Sequence, residues 1–276
     1  VKLKVAVTLP VVLQVEKLLA MTWRCLERLT IPDDFRRRTQ AEFMLTLVCN
    51  RLAWPVELIR EKAANCCGLM PSVVNVVNEG DKGVAGGWNA GSKLGIEWGA
   101  EYLICLANDT EAEPGCVQNL LTFGMSREDG NPLAERVALW SGTANNDGRL
   151  LDPAKVGEGA DFSFFAFRPE TISRHGWFDE MFRPAYFEDN DYAARIVLGG
   201  EHHRYVYAAR FYHHVSMTAK NDAEMAHHIN HWFGINQSRF VRKWGRLPVG
   251  DEATMLRDYN RTPFNSGEPL SWWGPS

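Results

Sequence analysis

The chain has 276 residues, of which 45% are hydrophobic and 23% charged, with a formal net charge of −4 at pH 7. That balance suits a globular protein with a sizeable core, excludes a disordered chain, and gives no sign of the basic footprint of a nucleic-acid binder. No run approaches the roughly 18 apolar residues of a membrane span, so no integral membrane segment is expected.

The opening residues 2–8 alternate Lys2 and Lys4 with apolar side chains and read as a strand, and 11–29 has helical apolar spacing. A short apolar run follows at 43–49, then a helix begun by Pro55, where proline is tolerated in a first turn. Residues 73–77 are strand-like, 84–98 helical and 102–106 a buried strand, and another helix follows Pro114. This alternation predicts an α/β fold with a mostly parallel sheet flanked by helices. Ligands of such sheets sit beyond the carboxyl ends of the strands, which draws attention to Thr8, Pro10, Asn50, the 78–82 segment and 107–110. The second half departs from strict alternation. Strands are expected at 137–141, 162–167 and 205–207, a Gly- and Asp-rich loop at 145–161, and a helix at 188–198 stopped by Gly199-Gly200. A long helix is expected over 221–244, followed by an extended arm at 246–276 that holds Trp272 and Trp273. The six cysteines, Cys25, Cys49, Cys66, Cys67, Cys105 and Cys116, lack the spacing of a disulfide framework and read as buried reduced thiols of a cytoplasmic protein.

Four segments carry candidate chemistry. In the first, an apolar strand delivers Asn108 and Asp109 at its end, before a Pro114-Gly115 turn. A carboxylate there can hold a hard divalent cation, or it can simply cap a turn. In the second, 78–91, glycines lie between a strand and a helix with a spacing that is neither a dinucleotide fingerprint nor a P-loop. They suit either a ligand approaching the backbone or tight helix-on-sheet packing, and Asn89 is not explained by packing alone. The third places Glu188, Asp189 and Asp191 in the first turn of a helix, directly after Tyr186-Phe187. A helix N-terminus favours ionised carboxylates, as a general base requires, although acidic first turns are also common without function. Asp191 and Arg195 have the spacing of an ion pair along one face. In the fourth, His213 follows a strand. His227 and His231 have zinc-compatible spacing, but no third ligand is evident.

Taken in order, the segments 82–91, 106–115, 176–195 and 213–218 resemble the family 2 glycosyltransferases of the GT-A fold, in particular the rhamnosyltransferase-like branch. The resemblance covers about residues 1–245. It implies a GT-A domain with a nucleotide-sugar-binding half (1–115), an acceptor and catalytic half (116–220) and a C-terminal helix (221–245). It further implies an inverting transfer from a nucleotide-diphosphate donor, a UDP- or dTDP-sugar, to an acceptor hydroxyl on a glycan, lipid-linked sugar, protein or modified nucleic acid. Asp109 matches the acidic residue that meets a Mn²⁺ or Mg²⁺ cofactor and the donor diphosphate, and His213 a position that supports the same metal. Asp189 matches the catalytic base, with Glu188 beside it. Thr8, Pro10, Asn50, Lys82, Asn89 and Asn108 fall on the donor side, and Trp177, Asp179 and Asp191 on the acceptor side. Two positions depart from the pattern: Ala107 stands where many members carry Asp or Asn, and Lys82 replaces the usual Asn. Two other readings remain. A sugar nucleotidyltransferase would need a Gly-rich, Arg-containing loop after the first strand, where this chain has Thr8-Leu9-Pro10. A catalytically inactive nucleotide-sugar-binding module would be consistent with Ala107.

Overall fold

The computed structural model describes residues 2–259 apart from 79, 128, 129, 132, 133 and 150. In chain order the first half runs β1 (Lys4–Leu13), α1 (Glu16–Arg28), α2 (Asp33–Thr39), β2 (Glu42–Leu52), α3 (Val56–Cys66), β3 (Val73–Val77), α4 (Gly83–Trp98) and β4 (Tyr102–Leu106). The second half runs β5 (Thr110–Ala112), α5 (Cys116–Ser126), β6 (Val137–Ala144), β7 (Val156–Glu158), β8 (Phe164–Phe167), α6 (Pro169–His175), a 3-10 turn (Glu180–Phe182), α7 (Glu188–Leu198), β9 (His202–His213), α8 (Met217–Asn221), α9 (Ala223–Trp244) and α10 (Glu252–Asp258).

Among the described residues the strands form one sheet in the order β3-β2-β1-β4-β8-β6-β9-β5, with β7 also on β9. The β3-β2-β1-β4 half is parallel, and β8 enters antiparallel between β4 and β6. This is the α/β architecture expected from the sequence. Strand β1 is buried on both faces, as the centre of a parallel sheet requires. Val5, Val7, Leu9 and Val11 join the core beneath α1 and α3, whereas Ala6 joins a second core with Trp88 of α4.

The glycines of α4 have a packing explanation. Gly87, Gly91 and Gly95 recur every fourth residue and so lie on one face. A Cβ on each would sit 2.8 Å from Pro10 Cβ, 2.2 Å from Thr8 Cγ2 and 2.6 Å from Ala6 Cβ, respectively. Helix and strand therefore approach more closely than any larger residue permits. Gly91→Ala is expected to destabilise the protein by about 1–3 kcal/mol through overpacking, read as a lower urea midpoint at unchanged slope.

Several boundaries differ from expectation. Strand β1 does not end at Thr8 but continues through Pro10 to Leu13, and α1 starts only at Glu16. Pro10 is tolerated because it lies past the last β1–β4 pair, Thr8 with Cys105, so that ladder loses no bond. Asn50 also lies within a strand. The β1–β2 register passes from Val11–Cys49 to Val12–Arg51, leaving Asn50 as the extra residue of a bulge. The 145–161 loop contains β7, and the expected short strand at 205–207 is part of the twelve-residue β9. The arm after residue 245 is not simply extended, since it forms α10, capped by Asp251; Trp272 and Trp273 lie outside the described residues. The six cysteines are free thiols. Among the described residues no helix is long and apolar enough to cross a membrane.

Helix α9 is an integral part of the body. Phe240 and Trp244 pack with Phe182 and Phe187 in one buried cluster. Beneath them lies a charged network: Lys243 Nζ is 2.7 Å from both Asp179 Oδ2 and Asp191 Oδ1, Arg195 Nε is 2.9 Å from Asp191 Oδ2, and Trp244 Nε1 donates to Asp191 Oδ1. These contacts fix the start of α7 against the C-terminal helix.

Candidate active site

A cleft of about 500 Å³ opens beyond the carboxyl ends of β1 and β4. It is the position at which open α/β sheets bind ligands. Asp109 and His213 line one part of it, and Glu188 and Asp189 another, so the two acidic segments picked out in the sequence share one cavity.

At the first part, β4 ends at Leu106 and a tight turn carries Asp109, whose Oδ1 lies 3.3 Å from His213 Nε2. The main-chain N–H of Met217 donates to its Oδ2. Burial pushes the Asp109 carboxyl up, but hydrogen bonding and charge from His213, together with the Met217 N–H, outweigh it and hold the group below its ordinary value. Asp109 is therefore anionic at neutral pH. Burial pushes the His213 imidazole down, and its bond to Asp109 more than reverses this, raising it. The other ring nitrogen, Nδ1, meets Ser163 Oγ at 3.2 Å.

At the second part, the chain enters α7 through Tyr186 and Phe187, both at positive φ (73° and 78°). Non-glycine residues rarely adopt this conformation, and it persists where the surroundings enforce it. Here the restraint is Asn236 of α9, fully buried, whose amide donates to the Ala185 carbonyl (3.0 Å) and the Arg183 carbonyl (3.4 Å). The turn brings Glu188 and Asp189 to the cleft wall. Asp189 is half-buried, and burial raises its carboxyl above the ordinary value. Glu188 is raised well above it, first by burial and then by the neighbouring charge of Asp189. Glu188 Oε2 is buried without a hydrogen-bond partner among the described residues. Both carboxyls are thus held above their ordinary values, Glu188 the more strongly.

The remaining predicted site residues divide sharply. Pro10, Asn50 and Asn108 line the cleft. The Asn50 amide donates to the Gly83 carbonyl while its Oδ1 accepts the Lys82 N–H, clamping the loop in front of α4; the Asn108 amide donates to Thr22. Thr8 is buried against Gly91 and does not reach the cavity. Lys82 is not a lining residue either, whereas its neighbours Asp81 and Gly83 are. Asn89 is occupied by the Phe178 main chain and Glu180 Oε1. Of the residues expected on the acceptor side, Trp177 is exposed away from the cleft, and Asp179 and Asp191 are consumed by the buried network around Lys243. Their carboxylates are engaged in buried ion pairs that hold α7 to α9. Sequence reasoning flagged Asp81 only within the 78–82 segment and Tyr186 only as part of the aromatic approach to α7, and it missed Asp161, Ser163 and Tyr205 as lining residues. Asp161 and Ser163 bracket a strand start, and that position was their only available signal.

The donor set at Asp109 is small. One carboxylate oxygen and one imidazole nitrogen converge, Ala107 supplies no donor, and no cluster of three or more His, Cys, Asp or Glu occurs among the described residues. Such a pair fits a Mg²⁺ or Mn²⁺ ion that completes its shell with diphosphate oxygens and water; it does not fit a cation held by protein alone.

No known family profile matches the sequence, and no curated protein matches it. Solved structures do. S. aureus TarS residues 1–349 in complex with UDP superposes with a TM-score of 0.54 at 13% identity, over 92% of this chain and 70% of that one. A longer S. aureus TarS structure gives 0.54 at 14% identity, and this chain spans only 41% of its length. TarS 1–349 in a further structure gives 0.52 at 11% identity, with 94% and 70% coverage. At these identities the likeness establishes the fold, which this chain shares with a protein crystallised with a nucleoside diphosphate.

Proposed function

We propose that the protein is a glycosyltransferase that moves a sugar from a nucleotide-diphosphate donor to an acceptor hydroxyl. The observation that carries this reading is the joint presence, in one cleft, of an anionic Asp109 paired with His213 and of Asp189 at the start of α7. The UDP bound by TarS in the same fold supports a nucleotide donor.

The donor diphosphate lies at Asp109 and His213, and the acceptor approaches Asp189. The acceptor hydroxyl attacks the anomeric carbon from the face opposite the diphosphate. Asp189 takes its proton, the bond from that carbon to the diphosphate oxygen breaks, and the nucleoside diphosphate leaves. The transfer inverts the anomeric centre, through an oxocarbenium-like transition state. Asp109 and His213 would hold a divalent cation, which would supply electrostatic stabilisation of the leaving diphosphate. The resemblance of the sequence segments to the rhamnosyltransferase-like branch makes dTDP-rhamnose a donor to try beside UDP-sugars.

Release of nucleoside diphosphate from a panel of UDP- and dTDP-sugars, with Mn²⁺ and with EDTA, tests the reading. Turnover of one donor, lost in EDTA and restored by Mn²⁺, is expected. Binding of nucleotide sugar with no turnover under any condition favours the inactive module instead.

A further inference from the structure

The two parts of the cleft leave the sugar itself without an assigned protein contact. We infer that Asp161, with the Tyr205 ring beside it, reads the hydroxyls of the donor sugar. This inference rests on the glycosyl-transfer reading and deepens it.

Asp161 is held in place at several points. Its main-chain N–H donates to Ser141 Oγ at 2.8 Å, and its Oδ1 accepts the Ser163 N–H at 2.8 Å. Among the described residues no partner engages Oδ2, and both Asp161 and Tyr205 line the cleft. Ser163 ties the position to the diphosphate end, because its hydroxyl meets His213 Nδ1. The charge of Asp161 also contributes to raising Asp189, so the carboxylate acts on the base from across the same cavity. Asp161 thus shares the cleft with Asp189 and is linked through Ser163 to His213.

The preceding segment is shaped to hold this arrangement. Gly159, at φ +104°, is so close to the Tyr205 ring that a Cβ would lie 2.7 Å from Cε2. Its N–H is bonded to the His203 carbonyl of β9. A Cβ on Gly157 would lie 2.2 Å from the Tyr207 hydroxyl. The chain is thus pressed onto two tyrosines of β9 just before Asp161, which limits the freedom of the carboxylate. An ionised carboxylate accepts hydrogen bonds from two hydroxyls at once, and an aromatic ring packs against the C–H face of a pyranose. A few fixed polar groups on an otherwise apolar wall are how small-molecule sites set orientation and specificity.

The test is calorimetric titration, with Mn²⁺ present, of UDP, UDP-glucose, UDP-galactose, UDP-N-acetylglucosamine, dTDP and dTDP-rhamnose into wild type, Asp161→Asn and Asp161→Glu. Wild type is expected to prefer one sugar over its epimers. Asp161→Asn is expected to weaken that nucleotide sugar by roughly 10- to 100-fold, the size of losing hydrogen bonds to a charged group, while free nucleotide binds as before. Asp161→Glu keeps the charge but moves it, and is expected to change the ranking of sugars. Retention of the wild-type ranking in both variants overturns the inference, as does parallel weakening of nucleotide and nucleotide sugar or a wild type indifferent to the sugar. If neither UDP nor dTDP binds wild type, the glycosyl-transfer reading fails along with it.

Discussion

Asp189→Asn is expected to lower transfer by roughly 10²–10⁴-fold, the usual worth of a general base, without weakening nucleotide binding. Asparagine keeps the shape and can still accept the Asn190 N–H that Asp189 Oδ1 now receives, but it cannot take a proton. The pH profile supplies a second readout. A base acts in its ionised form, and burial raises the Asp189 carboxyl, so the rate should climb with pH through a value above the ordinary carboxylate range. Below that value Asp189 is protonated and transfer falls. The acid limb should vanish from the residual rate of Asp189→Asn. An unchanged limb in the variant, or a wild-type turnover rate, removes Asp189 from the base role.

Asp191→Leu is expected to cost about 3–5 kcal/mol of stability, because it removes a buried carboxylate that Arg195 and Lys243 both bind, although Lys243 keeps its pair with Asp179. Arg195 and Lys243 have side chains only 1% and 5% exposed, and both bind the Asp191 carboxylate. Burial pushes Asp191 up, but the charges of Lys243 and Arg195 outweigh it and hold the carboxyl below its ordinary value. The pair therefore contributes stability above the unfolded carboxylate value and loses it as pH falls through the lower folded value. Urea unfolding at neutral pH measures the loss. A change below about 1 kcal/mol would match a surface ion pair and contradict this account of the network. The network also holds α7, so the surviving folded fraction should show impaired transfer.

The contrast between Asp189 and Asp191 shows where sequence reading stopped. Both lie in one acidic first turn after an aromatic run, and although the spacing to Arg195 marks Asp191 as a candidate ion-pair partner, the pattern does not show that it is buried away from the cleft. The difference depends on Lys243 and Trp244, distant in the chain, which α9 brings against the inner face of α7. Likewise, Thr8 follows the rule that strand ends face ligands, but the strand continues, and the glycine stripe of α4 covers that residue. The half-buried strand 73–77, the buried strand 102–106 and the helix 188–198 were legible to the residue, since each has a strong local pattern and a clear stop. Strand β9 was legible only in part. It is half-buried, carries several charged and His residues, and is held by ladders to β6, β7 and β5 more than by its own periodicity. Asp161 was hidden for a related reason: a Gly-rich stretch reads as a loose loop until the tyrosines it packs on are known.

On the proposed reading, Asp109 and Asp189 are two carboxylates with distinct tasks in one cleft, the first at the donor diphosphate and the second at the acceptor hydroxyl. The most direct measurement is the affinity of UDP, with and without Mn²⁺, for wild type, Asp109→Asn and Asp189→Asn. Mn²⁺ is expected to tighten UDP binding in wild type and in Asp189→Asn, and to lose that effect in Asp109→Asn. A metal effect that survives in Asp109→Asn, or disappears equally in both variants, would contradict a diphosphate end and a base end in the same cleft.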